Sequence, residues 1–249
     1  MTLNFLIAPD FAPDRFAGWH MLNTALQRRS GIHLHLLTPA GAQEQARLIA
    51  EGSVDLIYAN PFDAASLIRE SGFVAFARPK NHSDEMVIAT AAQSSMERLE
   101  DLRPGCRIAL TDNRDVKLIG LRLLEAADLK ELDVHWVQTD AYQVTARKVI
   151  AGEVEAGFFL ADSYHSLSRL THARLRPLIE SAIHDISHVL IASPRMAQAL
   201  GGVADALLSL GADEESRSVL DALGLPEGFE RMTAEDAEFM VDLMDTLLD

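Results

Sequence analysis

The sequence predicts a two-lobed α/β fold, in which each lobe is a mostly parallel sheet flanked by helices and a two-strand hinge joins the lobes. Three observations support it. Apolar runs of strand length alternate with segments of helical periodicity, which is typical of parallel sheets with helical crossovers. This alternation occurs twice, separated by polar stretches at 78–85 and 180–187. The 249 residues are enough for two such lobes.

The first lobe is predicted from strand–helix pairs that follow one another from the start of the chain. Strands are expected at 3–8, 32–37, 54–60 and 73–77, and helices at 13–30, at 42–50 and from Pro61 onward. Proline suits the first turn of a helix because its missing N–H has no intrahelical acceptor there.

The second lobe repeats the pattern. Strands are expected at 86–91, 107–110, 134–138, 156–161 and 175–179, and helices at 113–127, 142–151 and 163–170. A strand follows at 189–192, and the chain from Pro194 is expected to be helical. The predicted lobes are therefore 1–80 with 187–249 and 85–180, with the hinge near 78–85 and 180–187.

Composition excludes several classes of function. A formal charge of −15 opposes binding to nucleic acid or to an anionic membrane, and the apolar runs are too short for membrane insertion. The single cysteine permits no internal disulfide. No signal peptide is visible, so the expected location is cytoplasmic, or periplasmic if a signal peptide was trimmed. No motif for a cofactor, a metal or a catalytic nucleophile occurs, so none is assigned.

The stretch 107–120 holds the best candidate for a binding site. A buried strand ends at Thr111, and a helix begins near Asn113, Arg114 and Asp115. Backbone N–H groups at a helix start bind anions, and ligands of α/β sheets bind at the carboxyl ends of strands. Asn113 is equally well explained as a helix cap. We expect this turn to form one wall of a small-molecule site.

Three motifs resemble a known family. Residues 50–61 (AEGSVDLIYANP), 99–110 (LEDLRPGCRIAL) and 149–157 (VIAGEVEAG) are similar in order and spacing to segments of phosphate/phosphite/phosphonate ABC-transporter substrate-binding proteins. The resemblance implies a type 2 periplasmic-binding-protein fold and non-catalytic binding of a small polar or anionic, phosphonate- or phosphate-like molecule. It implies hinge closure over an interlobe cleft, for sensing or transport, with a transporter or signalling protein as partner.

The resemblance also implies which side chains line that cleft. The family places a Ser/Thr-rich turn at a helix start where this chain has Asn113, Arg114 and Asp115. The ligand-binding residues implied by the resemblance are Pro9, Asp10, Tyr58, Asn60, Asp84, Glu85, Asn113, Arg114, Asp115, Tyr142 and Asp162, and Thr111 joins them as the end of the strand at the same turn.

Two other functions remain open at this point. One is a cytoplasmic enzyme of the same fold, similar to those of the futalosine route to menaquinone, which a cleft residue with a perturbed pKa would support. The other is a protein-interaction module whose cleft is degenerate and filled by its own side chains. His184 and His188 are interpreted as surface or hinge packing rather than as half of a metal site.

Overall fold

The computed structural model describes residues 2–9, 11, 13–184 and 186–248. Its strands are β1 (Leu3–Ile7), β2 (Leu34–Leu37), β3 (Leu56–Ala59), β4 (Val74–Pro79), β5 (Met86–Ala91), β6 (Cys106–Leu110), β7 (Val134–Gln138), β8 (Ala156–Leu160), β9 (Leu175–Glu180), β10 (Val189–Ala192) and β11 (Phe229–Arg231). Its α-helices are α1 (Phe16–Ser30), α2 (Ala42–Ala50), α3 (Pro61–Ser71), α4 (Arg114–Leu124), α5 (Tyr142–Ile150), α6 (Ala161–His165), α7 (Arg169–His172), α8 (Leu200–Leu208), α9 (Glu214–Leu223) and α10 (Ala234–Leu248).

The chain divides into two compact units, one of residues 1–83 with 185–246 and the other of residues 84–184 with 247–249. The first unit contains a six-stranded sheet in the order β11-β4-β10-β3-β1-β2. Its strand β1 pairs in parallel with β2 and β3, whereas β10 is antiparallel to both β3 and β4. Helices α1, α8 and α9 pack together in this unit, and their apolar faces form its core with the sheet.

The second unit contains a five-stranded sheet in the order β7-β6-β8-β5-β9. Strand β6 is parallel to β7 and β8, and β5 is antiparallel to β8 and β9. Both sheets are therefore mixed but mostly parallel, as expected, because four of the six strands of the first sheet and four of the five strands of the second run in the same direction. Parallel neighbours need a crossover connection, and periodicity reveals the crossover helices. It does not reveal that β5 and β10, which follow the polar connectors without a helix, run in the opposite direction.

Two local predictions need correction. The chain after Pro194 is not wholly helical, because β11 pairs with the exposed side of β4. Three residues are too few to show a strand period, so only the tertiary pairing defines β11. The helix expected at 163–170 is two short helices, since the Ser168 hydroxyl accepts the N–H of Thr171 at 3.3 Å and starts α7 anew.

Strand β8 is packed on both faces by helices. A Cβ on Gly120 of α4 would lie only 2.2 Å from the Phe158 ring, and a Cβ on Gly157 would lie 2.8 Å from the Thr145 methyl of α5. Successive residues of a strand point to opposite faces. Helices α4 and α5 therefore cover opposite faces of the second sheet, at distances that only glycine permits.

Candidate functional site

The carboxyl ends of three strands meet at one edge of the second sheet. Strand β6 is parallel to both neighbours, with Leu110 opposite Gln138 on β7 and Ile108 opposite Ala156 on β8. The chain leaves β6 for α4 on one face and leaves β7 for α5 on the other. The connection from β6 leads to its neighbour on one side, β7, and the connection from β7 leads back past β6 to β8. Open α/β sheets bind ligands where successive connections change direction in this way.

Four of the predicted residues lie where β6 leads into α4. The Asn113 Oδ1 atom accepts the N–H of Val116 at 3.0 Å and caps the helix. Asp115 lies in the first turn and is 4% exposed, whereas the side chain of Arg114 is exposed. The Thr111 hydroxyl is buried and has no hydrogen-bond partner among the residues described. The N-terminus of α4, which is the positive end of the helix dipole, is thus already capped by the Asn113 amide and carries the carboxyl group of Asp115.

The start of α5 is different, because no side chain caps it. Its N-cap residue is Ala141, in an extended conformation, and Tyr142 is the first helical residue. The Thr139 hydroxyl donates to the Leu110 carbonyl at 3.0 Å and lies 2.7 Å from the buried Thr145 hydroxyl. This chain of bonds fixes the first turn of α5 to the end of β6.

Strand β5 brings two more predicted residues to this edge. Because β5 is antiparallel to β8, with Met86 opposite Leu160, its start lies beside the end of β8. Asp84 is buried just before β5, and Asp162 is an exposed residue of α6 just after β8.

The side chain of Glu85, the residue before β5, forms hydrogen bonds with the return connector, the segment that follows β9. Its Oε1 atom accepts the N–H groups of Ile183 at 2.9 Å and His184 at 2.8 Å, and its Oε2 atom accepts the Ser181 hydroxyl. His184 has a φ of +62°, a left-handed conformation that non-glycine residues adopt at some cost. These contacts give Glu85 the role of holding the return connector in place.

The predicted residues of the first unit lie at the carboxyl ends of β1 and β3. These strands are parallel neighbours, and the N–H of Ala8 donates to the Tyr58 carbonyl at 2.9 Å, so Pro9 follows close to β3. The Asn60 Oδ1 atom accepts the N–H of Asp63 at 2.8 Å and caps α3. Asp10 lies outside the described residues.

An aromatic cluster adjoins this edge. The ring of Tyr58 stacks on His188, with centroids 5.0 Å apart and planes at 19°, and lies 4.6 Å from the ring of Trp19. Periodicity did not single out His188 as a site residue. The antiparallel pairing of Val189 with Ala59 brings it there, and sequence alone carries no signal of that pairing.

Within the described part of the chain, no group of three or more His, Cys, Asp or Glu side chains is placed to hold a metal ion. Burial, and then the negative charge of Glu180, raise the pKa of the Tyr164 phenol in α6, so the phenol stays protonated at neutral pH.

Among the described helices, none is long and apolar enough to cross a membrane.

Comparison with known proteins gives a family match and a set of similar folds. A family model described as the periplasmic substrate-binding protein of phosphonate ABC transporters matches residues 5–237. No curated protein sequence matches the chain.

Three solved structures illustrate the similarity of fold. The binding-protein component of a phosphonate ABC transporter from Pseudomonas aeruginosa has 14% identity and a TM-score of 0.80, with 100% of this chain and 89% of that chain covered. PhnD1 from Prochlorococcus marinus, in complex with methylphosphonate, has 11% identity, a TM-score of 0.84 and coverages of 99% and 98%. XAC2383 from Xanthomonas citri, bound to ATP, has 15% identity, a TM-score of 0.78 and coverages of 100% and 98%.

Proposed function

Because this chain belongs to the family of periplasmic substrate-binding proteins of phosphonate ABC transporters, we propose that it binds a small oxyanion-bearing molecule without converting it. The observation that carries the proposal is the single edge of the second sheet, where β6 and β7 end and α4 and α5 begin. Five of the residues that we predicted to bind the ligand lie along this edge, namely Thr111, Asn113, Arg114, Asp115 and Tyr142.

We assign the oxyanion to the start of α5 rather than to the start of α4. Helix α4 carries the Asn113 cap and the buried carboxylate of Asp115, and a second negative charge there would be repelled. Helix α5 has nine residues and begins at Ala141 without a side-chain cap. The backbone N–H groups of its first turn can donate hydrogen bonds to an anion, and the hydrogen bond between the Thr139 and Thr145 hydroxyls holds that turn in place.

The test is to give α5 a cap of its own. Ala141→Asp puts a carboxylate at the N-cap, where it both satisfies the N–H groups of the first turn and repels an anion. We expect this variant to be more stable and to lose affinity in calorimetric titrations with methylphosphonate and with ATP. The matched control is Ala199→Asp, because Ala199 is the uncapped N-cap of α8 in the first unit. It should bind as the wild type does.

A second variant tests the role of Asp115. Asp115→Asn replaces the buried carboxyl group at the start of α4 by an uncharged group of the same shape, so oxyanion affinity should not fall, and it should rise at any pH at which the carboxyl group is ionised. A wild-type chain that binds neither methylphosphonate, phosphate nor ATP would refute the oxyanion class. Binding that Ala141→Asp leaves intact would refute the α5 site while keeping the class.

The family membership also supports a partner and a location. We propose the permease of an ABC transporter as the macromolecular partner, and the periplasm as the place where the chain works. The family description favours this location over the cytoplasmic alternative. Fractionation of cells that express the native gene, followed by immunoblotting, tests the location directly.

A further inference from the structure

A groove in the second unit has a charge opposite to that of the chain as a whole. It lies between α5 and α7 and has a volume of about 310 Å³. The groove is lined by Arg147, Ile150, Ala151, Leu170, Thr171 and Arg174. The chain carries a formal charge of −15, yet no acidic residue lines this groove.

Neither arginine of the groove has a counterion among the residues that the structure describes. The side chains of Arg147 and Arg174 make no ion pair and no hydrogen bond within the described part of the chain. Their neighbour Lys148, by contrast, pairs with Glu153 at 2.8 Å. In a chain with 37 acidic and 22 basic residues, two unpaired guanidinium groups beside one groove leave a local positive potential for an external anion.

The wall between the two arginines is apolar and open to solvent. Leu170 is 82% exposed, which is unusual for a large aliphatic side chain, and Ile150 and Ala151 continue the same wall. A volume of about 310 Å³ is at the lower limit of small-molecule pockets, which bury most of their ligand. An open groove with exposed walls suits a segment of protein better than an enclosed metabolite.

We propose that this groove docks an acidic segment of a partner protein. Two carboxylates of the segment pair with Arg147 and Arg174, and an aliphatic side chain between them covers Leu170 and Ile150. Guanidinium groups bind carboxylates through two parallel hydrogen bonds, which fixes the register of the segment as well as its charge. This surface lies towards the C-terminal end of α5, away from the start of that helix, and does not depend on the function proposed above.

The experiment uses the full chain and three synthetic peptides. The acidic probe is acetyl-Glu-Glu-Leu-Leu-Glu-Glu-amide, and the controls replace its glutamates by lysine or its leucines by serine. Amide shifts in ¹H–¹⁵N spectra locate the contact, and fluorescence anisotropy measures affinity. We expect the acidic leucine peptide to shift residues 147–151 and 170–174, and we expect binding to weaken as salt rises.

Two arginine variants decide the outcome. Reversal of both charges, in Arg147→Glu with Arg174→Glu, should weaken binding at least about tenfold, whereas Arg217→Glu on the exposed face of α9 should not. The neutral pair Arg147→Gln with Arg174→Gln keeps the test valid if charge reversal disturbs folding. No localised shift, or equal binding by the control peptides, would overturn the proposal. A wild-type dimer in sedimentation that the charge-reversed variant loses would also overturn it, because a second copy would then occupy the groove.

Discussion

Replacement of Gly120 by alanine tests how closely α4 must approach the second sheet. The new methyl carbon would lie 2.2 Å and 2.7 Å from two carbons of the Phe158 ring. The ring is fully buried, and Trp136 packs edge-on against it with a centroid distance of 5.5 Å, so it has no space to move away. Helix α4 must shift instead, and its start carries Asn113 to the edge of the sheet.

The expected cost follows from two opposing effects. Alanine in place of glycine in a helix interior favours folding by about 1 kcal/mol. Overpacking of a well-filled core costs roughly 1–3 kcal/mol. With a contact as short as the one at Phe158, we take the upper part of that range and expect a net loss of about 1–2 kcal/mol. In a chain of this length, that loss lowers the melting temperature by roughly 2–8 °C.

Gly202→Ala is the matched control for thermal unfolding followed by circular dichroism. Gly202 also lies in a helix, α8, but the nearest atom to its new methyl carbon is the Ile32 Cδ1 atom at 3.9 Å. This variant should gain about 0.4–1 kcal/mol. Phe158→Leu combined with Gly120→Ala should recover part of the loss, because the smaller side chain leaves room. If Gly120→Ala melted at or above the wild-type temperature, the reasoning from close packing would be refuted.

Three further outcomes are expected. Asn60→Ala should cost about 1 kcal/mol in urea unfolding, because the N–H of Asp63 at the start of α3 loses its acceptor. Asn60→Ser, which keeps an acceptor without placing a second carboxylate beside Asp63, should cost less. Burial, and then the negative charge of Glu155, raise the pKa of the Cys106 thiol. Iodoacetamide at pH 8 should therefore label Cys106 only in denaturant, and rapid labelling of the native protein would contradict the burial of this side chain. Hydrogen bonds from Arg107 lower the pKa of Glu155 below its ordinary value of 4.5, so their stabilising effect is complete above pH 4.5 and is lost as the pH falls through the folded-state pKa. Glu155→Gln should therefore lose less stability than the wild type below pH 4.5, by under about 1 kcal/mol for so exposed a pair, and an unchanged acid profile would count against the pairing.

Local pattern predicted most elements well, because strands and helices have distinct periods. The expected strand at 134–138 is β7, and the helix expected at 142–151 is α5, at Tyr142–Ile150. The residue types at helix starts were informative too, since Asn113 and Asn60 both cap helices at sheet edges. The family resemblance found from three short motifs is confirmed by the match over residues 5–237.

Features that depend on pairing between distant segments of the chain could not be predicted from local sequence pattern. The direction of β10 and the existence of β11 are set by contacts with β4, more than a hundred residues earlier in the chain. The same limit applies to His188, whose ring reaches Tyr58 only through the pairing of β10 with β3. Glu85 was predicted as a ligand residue from its motif position, whereas its hydrogen bonds to the return connector follow from tertiary structure alone.

The position of β10 has a consequence for biosynthesis. Strand β4 pairs only with β10 and β11 in the described structure, so it has no partner strand until residue 192 has been made, and the first sheet is complete only at residue 231. All five strands of the second sheet, by contrast, lie within residues 84–184. Ribosomes add about 5–20 residues per second, so the early strands wait for roughly 5–20 s with unsatisfied edges. The part of the chain that is made first is therefore the part that finishes folding last, and during that interval it is the part that most needs protection by chaperones.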